Sequence, residues 1–85
     1  MEKGILYFSA PWCEPCGVLT PVIDQIAKEG IKVKKININY DAQYTEEFNV
    51  KSVPTLISTD MNGNEIKRVA AGGWSKEQVL KWFNS

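Results

Sequence analysis

Residues 5–16 read ILYFSAPWCEPC and join two kinds of secondary structure. The continuous apolar run at residues 5–8 predicts a strand that is buried on both faces. Pro11 lies at the end of this strand, and Pro15 suits the first turn of a helix, where a missing backbone N–H costs nothing. We therefore expect a helix to begin near Cys13, so that Cys13 and Cys16 lie at a strand-to-helix turn.

Apolar residues at helical spacing extend this helix over the next three turns. They are Val18, Leu19, Val22, Ile23, Ile26 and Ala27. Gly30 is a natural C-terminal stop. Pro21 lies inside the helix, and we expect it to remove the hydrogen bond to the carbonyl of Gly17 and to kink the helix there.

The rest of the chain predicts three more strands and two more helices. Alternation over residues 31–38, interrupted by lysines, is typical of an exposed edge strand. A short helix is expected over residues 40–48, with Asp41 or Asn39 as its cap. Strands at 55–59 and 66–71, joined by a turn at 60–63, form an antiparallel hairpin.

A final helix is predicted by the capping-box pair Ser75 and Gln78. The complete order is strand, helix, strand, helix, strand, strand, helix. Its first half is a βαβ unit, which is parallel and right-handed by rule. We expect an α/β fold in one domain over residues 1–85, with a four-stranded mixed sheet and three helices.

The composition argues against several classes of function. The 85 residues include ten basic and ten acidic side chains, and zero net charge without a basic face argues against nucleic acid as a main partner. No apolar run approaches the roughly 20 residues that span a bilayer, so no membrane partner is expected. The run at residues 5–8 is too short for a signal-peptide core, so we expect a cytoplasmic protein, and a monomer.

The spacing Cys13-x-x-Cys16 is shared by zinc, iron–sulfur and redox proteins. A tetrahedral zinc site needs two more ligands, and the chain has no third cysteine and no histidine. A structural disulfide over so short a loop adds little stability, but it remains open, as do two inert cysteines. In the redox interpretation, the helix N-terminus lowers the pKa of Cys13 and makes it the attacking thiolate, while the more buried Cys16 resolves the mixed disulfide.

Four features together resemble the thioredoxin family. Trp12-Cys13-Glu14-Pro15-Cys16 is similar to the W-C-x-P-C active site, and Pro21 to the proline of the active-site helix. Val53-Pro54-Thr55 resembles the segment with a cis-proline, and Gly72-Gly73 the glycine loop beside the site. The resemblance implies a thioredoxin-like fold with a minimal βαβαββα core and a cis Val53–Pro54 bond. It also implies a substrate-binding surface at Trp12, Pro15, Val53, Pro54, Gly72 and Gly73.

The chain departs from this family in two places. Full-size thioredoxins carry a further strand and helix before the strand at residues 5–8. They also have a buried aspartate six residues before the first cysteine, where this chain has Tyr7, although the accompanying lysine is retained as Lys35. Tyr7, Lys35 and Glu14 are therefore the candidates for tuning the thiol pKa values, and Glu14 biases the pair toward reducing behaviour.

The resemblance implies a thiol–disulfide oxidoreductase that reduces protein disulfides without a cofactor or a metal. Its electron donor is expected to be a thioredoxin reductase or a small thiol. A glutaredoxin-like enzyme that uses glutathione is an alternative within the same fold. A module that binds a metal or an iron–sulfur cluster through Cys13 and Cys16, or a redox-inert interaction domain, is the alternative from another class.

Overall fold

The strand expected at residues 5–8 lies at the centre of the sheet in the computed structural model, which describes residues 3–85. The sheet order is β2-β1-β3-β4, in which β1 pairs parallel with β2 and antiparallel with β3. The hairpin partner of β3 is β4, also antiparallel. The elements are β1 Gly4–Ser9, α1 Glu14–Lys28, β2 Lys32–Asn37, α2 Ala42–Glu47, β3 Thr55–Thr59, β4 Glu65–Ala70 and α3 Lys76–Asn84. The predicted four-stranded mixed sheet with three helices is confirmed.

Side chains of β1 are buried on both faces of the sheet, because successive residues of a strand point to opposite sides. Ile5 and Tyr7 pack with residues of α1 and α3 in one core cluster. Leu6 and Phe8 belong to a second cluster, against which Tyr44 and Phe48 pack from the other side. The two clusters place helices on both faces of one thin sheet.

Helix α1 buries a narrower stripe than the sequence predicted. Leu19, Ile23 and Ile26 are buried, as expected. Val18 is 67% exposed and Ala27 is also exposed, although both belong to the apolar stripe identified in the sequence. The helix rests on a single sheet face, and residues at the two margins of its apolar stripe remain in solvent.

The other boundaries differ from the predicted ones by a few residues at most. Asp41 occupies the N-cap position of α2, but its side chain makes no capping bond and instead accepts the backbone N–H of Asn37 at 3.1 Å. The capping box of Ser75 and Gln78 is formed at α3, as predicted. Strand β2 is an edge strand with exposed lysines, also as predicted.

Candidate active site

Cys13 and Cys16 are joined by a disulfide at the start of α1, with their Cα atoms 5.3 Å apart. Cys13 is the N-cap residue, and its sulfur accepts the backbone N–H of Cys16 at 3.2 Å. A helix N-terminus has unpaired N–H groups and the positive end of the helix dipole, and both favour negative charge. The structure therefore places Cys13 where a thiolate is stabilised.

Both cysteines lie in a small apolar cluster. The exposed fractions are 8% for Cys13 and 3% for Cys16, in the order that the sequence predicted. Ala10 completes the cluster, and the partly buried side chains of Ile38 and Val53 pack against it. Cys16 is thus covered by protein, while Cys13 lies nearer to the surface.

Three distant segments of the chain meet beside the disulfide. The Val53–Pro54 peptide bond is cis, as the resemblance implied. A methyl group at Gly72 would lie 3.5 Å from Cβ of Pro15 and 3.8 Å from the ring of Pro54. Pro15, Pro54 and Gly72 therefore lie close together beside the cysteines.

Trp12 and Gly73 of the predicted binding surface, and the pKa-tuning candidate Glu14, are neighbours in sequence of the residues that meet here. Trp12 is 66% exposed and directly precedes Cys13. Gly73 has a φ of +80°, a left-handed conformation that a residue with a Cβ rarely adopts. Glu14 is exposed in the first turn of α1, one residue from Cys13 and two from Cys16 by sequence.

The side chain of Tyr7 extends from β1 to the first turn of α1. It is fully buried, and its hydroxyl donates to the carbonyl oxygen of Cys16 at 3.0 Å. Burial raises the pKa of Tyr7 above its usual value of 10.0, so the phenol stays protonated at neutral pH. Tyr7 thus acts here as a hydrogen-bond donor.

Two residues that the sequence did not single out complete these surroundings. The hydroxyl of Thr20 donates to the carbonyl oxygen of Cys16 at 2.8 Å. Asp24 accepts from the amine of Lys35 at 2.8 Å, and both side chains are about half exposed. Lys35 is therefore paired on the surface of the protein, beside the strand that carries Tyr7. A hydroxyl four residues after Cys16 in a helix is the sequence signal that would have identified Thr20.

Two further observations concern other kinds of site. Across residues 3–85, no three His, Cys, Asp or Glu side chains gather closely enough to hold a metal ion. No helix in this part of the chain is long and apolar enough to cross a membrane.

The family model for thioredoxin matches residues 1–85. The chain belongs to the thioredoxin family. Its thioredoxin relative from Rickettsia felis is 38% identical over 80 residues, which cover 91% of this chain and 74% of that protein. The relative from Chlamydia pneumoniae, also a thioredoxin, is 42% identical over 79 residues, covering 91% of this chain and 76% of that protein.

Solved thioredoxins share the fold. A mutant thioredoxin from Halobacterium salinarum superposes with a TM-score of 0.87 at 24% identity, over 98% of this chain and 73% of that one. Family, fold and the bonded cysteine pair agree with the prediction from sequence: this member of the thioredoxin family is a dithiol–disulfide oxidoreductase.

Proposed function

We propose that this protein reduces protein disulfides, with Cys13 as the attacking group and Cys16 as the resolving group. The Cys13 thiolate attacks one sulfur of the substrate disulfide, forms a mixed disulfide and releases the first substrate thiolate. Cys16 then loses its proton and attacks the Cys13 sulfur, which releases the second substrate thiolate. Two electrons pass to the substrate, and the Cys13–Cys16 disulfide remains.

The observation that carries this assignment is the position of Cys13 as the N-cap of α1, with its sulfur accepting the N–H of Cys16. A thiolate formed at Cys13 faces the same donor and the same helix dipole. Cys16 lies inside the first turn and is more buried, which suits a thiol that reacts only within the mixed disulfide.

We further propose that the substrate chain lies across the surface formed by Trp12, Pro15, Pro54 and the two glycines at 72 and 73. The close approach of Gly72 to both prolines supports this, since a residue without a side chain leaves the disulfide accessible from that direction. Val53 precedes β3 and lies outside its ladder, which leaves its backbone available to pair with an extended peptide.

The electron donor in this proposal is a thioredoxin reductase, which returns two electrons to the disulfide after each turnover. Membership of the family supports a reductase over a small thiol. We also propose that residues 1–85 work as one domain, as a monomer, in the cytoplasm, where thiols are kept reduced.

The test is reduction of insulin disulfides, followed by precipitation of the insulin chains. We expect the wild-type protein to catalyse it with dithiothreitol, and also with NADPH and thioredoxin reductase. We expect Cys13→Ser to abolish catalysis. Ser58→Ala, which changes a residue of β3 outside the proposed site, is the control and is expected to leave catalysis intact. Activity that requires glutathione and glutathione reductase instead would favour the glutaredoxin-like alternative. Absence of activity with every donor would contradict the proposal.

A further inference from the structure

Two hydroxyl groups converge on the backbone carbonyl of Cys16, behind the disulfide. The Tyr7 hydroxyl lies 3.0 Å from this carbonyl oxygen and the Thr20 hydroxyl 2.8 Å from it. The two hydroxyl oxygens are themselves 2.9 Å apart. The two hydroxyl protons are shared among three short oxygen–oxygen contacts, so a change at one hydroxyl affects the hydrogen bonds of the other. We call Tyr7 and Thr20 together the hydroxyl pair.

The hydroxyl pair joins the central strand to the active-site turn. Tyr7 belongs to β1 and is fully buried, while Cys16 and Thr20 lie in α1. A threonine that bonds the carbonyl four residues earlier often bends its helix. Pro21 follows directly and lacks the N–H that a regular helix would use there. The hydroxyl pair therefore helps to fix the first turn of α1 relative to the sheet.

We propose that Tyr7 and Thr20 are positioning residues that set the dithiol–disulfide equilibrium of Cys13 and Cys16, an inference that rests on the redox cycle proposed above. In the oxidised protein, the sulfur–sulfur bond already ties Cys16 to Cys13. Reduction removes this covalent tie, so the hydrogen bond from Tyr7 in β1 matters more for holding the Cys16 carbonyl, and Thr20 supports that bond from within α1. The hydroxyl pair thus stabilises the reduced form more than the oxidised form.

The equilibrium is measured against glutathione. The protein dithiol and one oxidised glutathione give the protein disulfide and two reduced glutathione molecules, so that electrons and protons balance. Because these hydrogen bonds are also present in the oxidised protein, only part of their free energy changes the equilibrium constant. We expect Tyr7→Phe and Thr20→Val each to shift the equilibrium constant toward the protein disulfide by about two- to fivefold, which is part of the free energy of one net hydrogen bond.

Two further variants separate the hydroxyl from the shape of the side chain. Thr20→Ser keeps the hydroxyl, so its equilibrium constant is expected to equal that of the wild type. The double variant of Tyr7→Phe and Thr20→Val is expected to shift it by less than the product of the single shifts, because both changes remove parts of one network.

Thr45→Val is the matched control. The Thr45 hydroxyl also bonds the carbonyl four residues earlier, that of Asp41 at 3.2 Å, but it does so near the start of α2. We expect Thr45→Val to leave the glutathione equilibrium unchanged. A shift as large as that of Thr20→Val would mean that loss of any such threonine bond alters the equilibrium, and it would overturn the proposal.

Denaturation of the oxidised and the reduced forms completes the comparison. A purely structural role would lower the free energy of unfolding equally in both forms and leave the equilibrium constant unchanged, and that result would overturn the proposal. A shift toward the dithiol would overturn it as well. If Tyr7→Phe fails to fold, the Thr20→Val and Thr20→Ser variants decide. A wild-type protein that forms no reversible disulfide would contradict the proposed function instead.

Discussion

The two cysteines differ in their surroundings at the scale of single residues. Cys13 caps α1 at the surface side, whereas Cys16 lies within the helix and is 3% exposed. We expect iodoacetamide at neutral pH to modify Cys13 of the reduced protein before Cys16, because alkylation requires an accessible thiolate. Peptide mapping after graded alkylation measures the order. Earlier modification of Cys16 would reverse the assigned roles.

Tyr7 makes the stability of the fold sensitive to alkaline pH. Burial raises the pKa of Tyr7 in the folded protein, so above about pH 10 the unfolded chain loses this proton while the folded chain keeps it. The free energy of unfolding is therefore unaffected by Tyr7 titration below about pH 10 and falls as the pH rises toward the folded-state pKa. Chemical denaturation at a series of alkaline pH values measures the fall.

Tyr7→Phe is the matched variant for this effect. It lacks the titrating group, so its free energy of unfolding is expected to fall less steeply above about pH 10 than that of the wild type. Equal slopes in the two proteins would show that Tyr7 makes no contribution to the alkaline transition.

Tyr7→Phe also tests the replacement of the family's buried carboxylate. A phenol that only donates a hydrogen bond moves no proton, so we expect the rate of insulin reduction to stay within about a factor of ten of the wild-type rate. A loss of about a hundredfold would assign Tyr7 to the proton path of Cys16.

At the scale of elements, two glycines near the active site are expected to respond oppositely to substitution. Gly17 lies within α1, and a methyl group there would meet nothing within 4 Å, so Gly17→Ala should raise the free energy of unfolding by about 0.5–1 kcal/mol. Gly73 has a φ of +80°, so Gly73→Ala should lower it by about 1–2 kcal/mol. Urea denaturation of the oxidised proteins measures both, and destabilisation by Gly17→Ala would contradict the account of α1.

The elements that local sequence signals define were predicted most accurately. Strand β3 has the bounds expected after Pro54, and the Ser75–Gln78 capping box is formed. These follow from proline placement and from a side-chain bond that spans three residues. The exposure of Val18 did not follow, because helical periodicity defines an apolar face but not how much of that face the sheet covers.

The site required more than local signals. Cys13 and Cys16 were predicted from spacing and from their place at the start of a helix, whereas the cis bond before Pro54 came from the family resemblance alone. The contact of Tyr7 with Thr20 depends on how α1 lies on β1, which is a tertiary feature. No pattern within either element predicts it.

At the scale of the whole molecule, the sheet topology explains why distant segments form one site. Strands β1 and β4 both run antiparallel to β3. The C-terminal ends of β1 and β4 therefore lie at the same end of the sheet as the N-terminal end of β3. The cysteine turn follows β1, Pro54 precedes β3, and Gly72 follows β4. The disulfide thus lies where three segments, far apart in sequence, come together.

The most direct test of the proposed cycle is to trap its intermediate. Reduced Cys16→Ser, incubated with a peptide disulfide, should accumulate a stable mixed disulfide at Cys13, because no second thiol is present to resolve it. Mass spectrometry of the intact protein and of its peptides measures the adduct and its position. We expect an adduct at Cys13 that dithiothreitol removes, and little adduct in Cys13→Ser. A stable adduct at Cys16 in Cys13→Ser, with none at Cys13 in Cys16→Ser, would contradict the account.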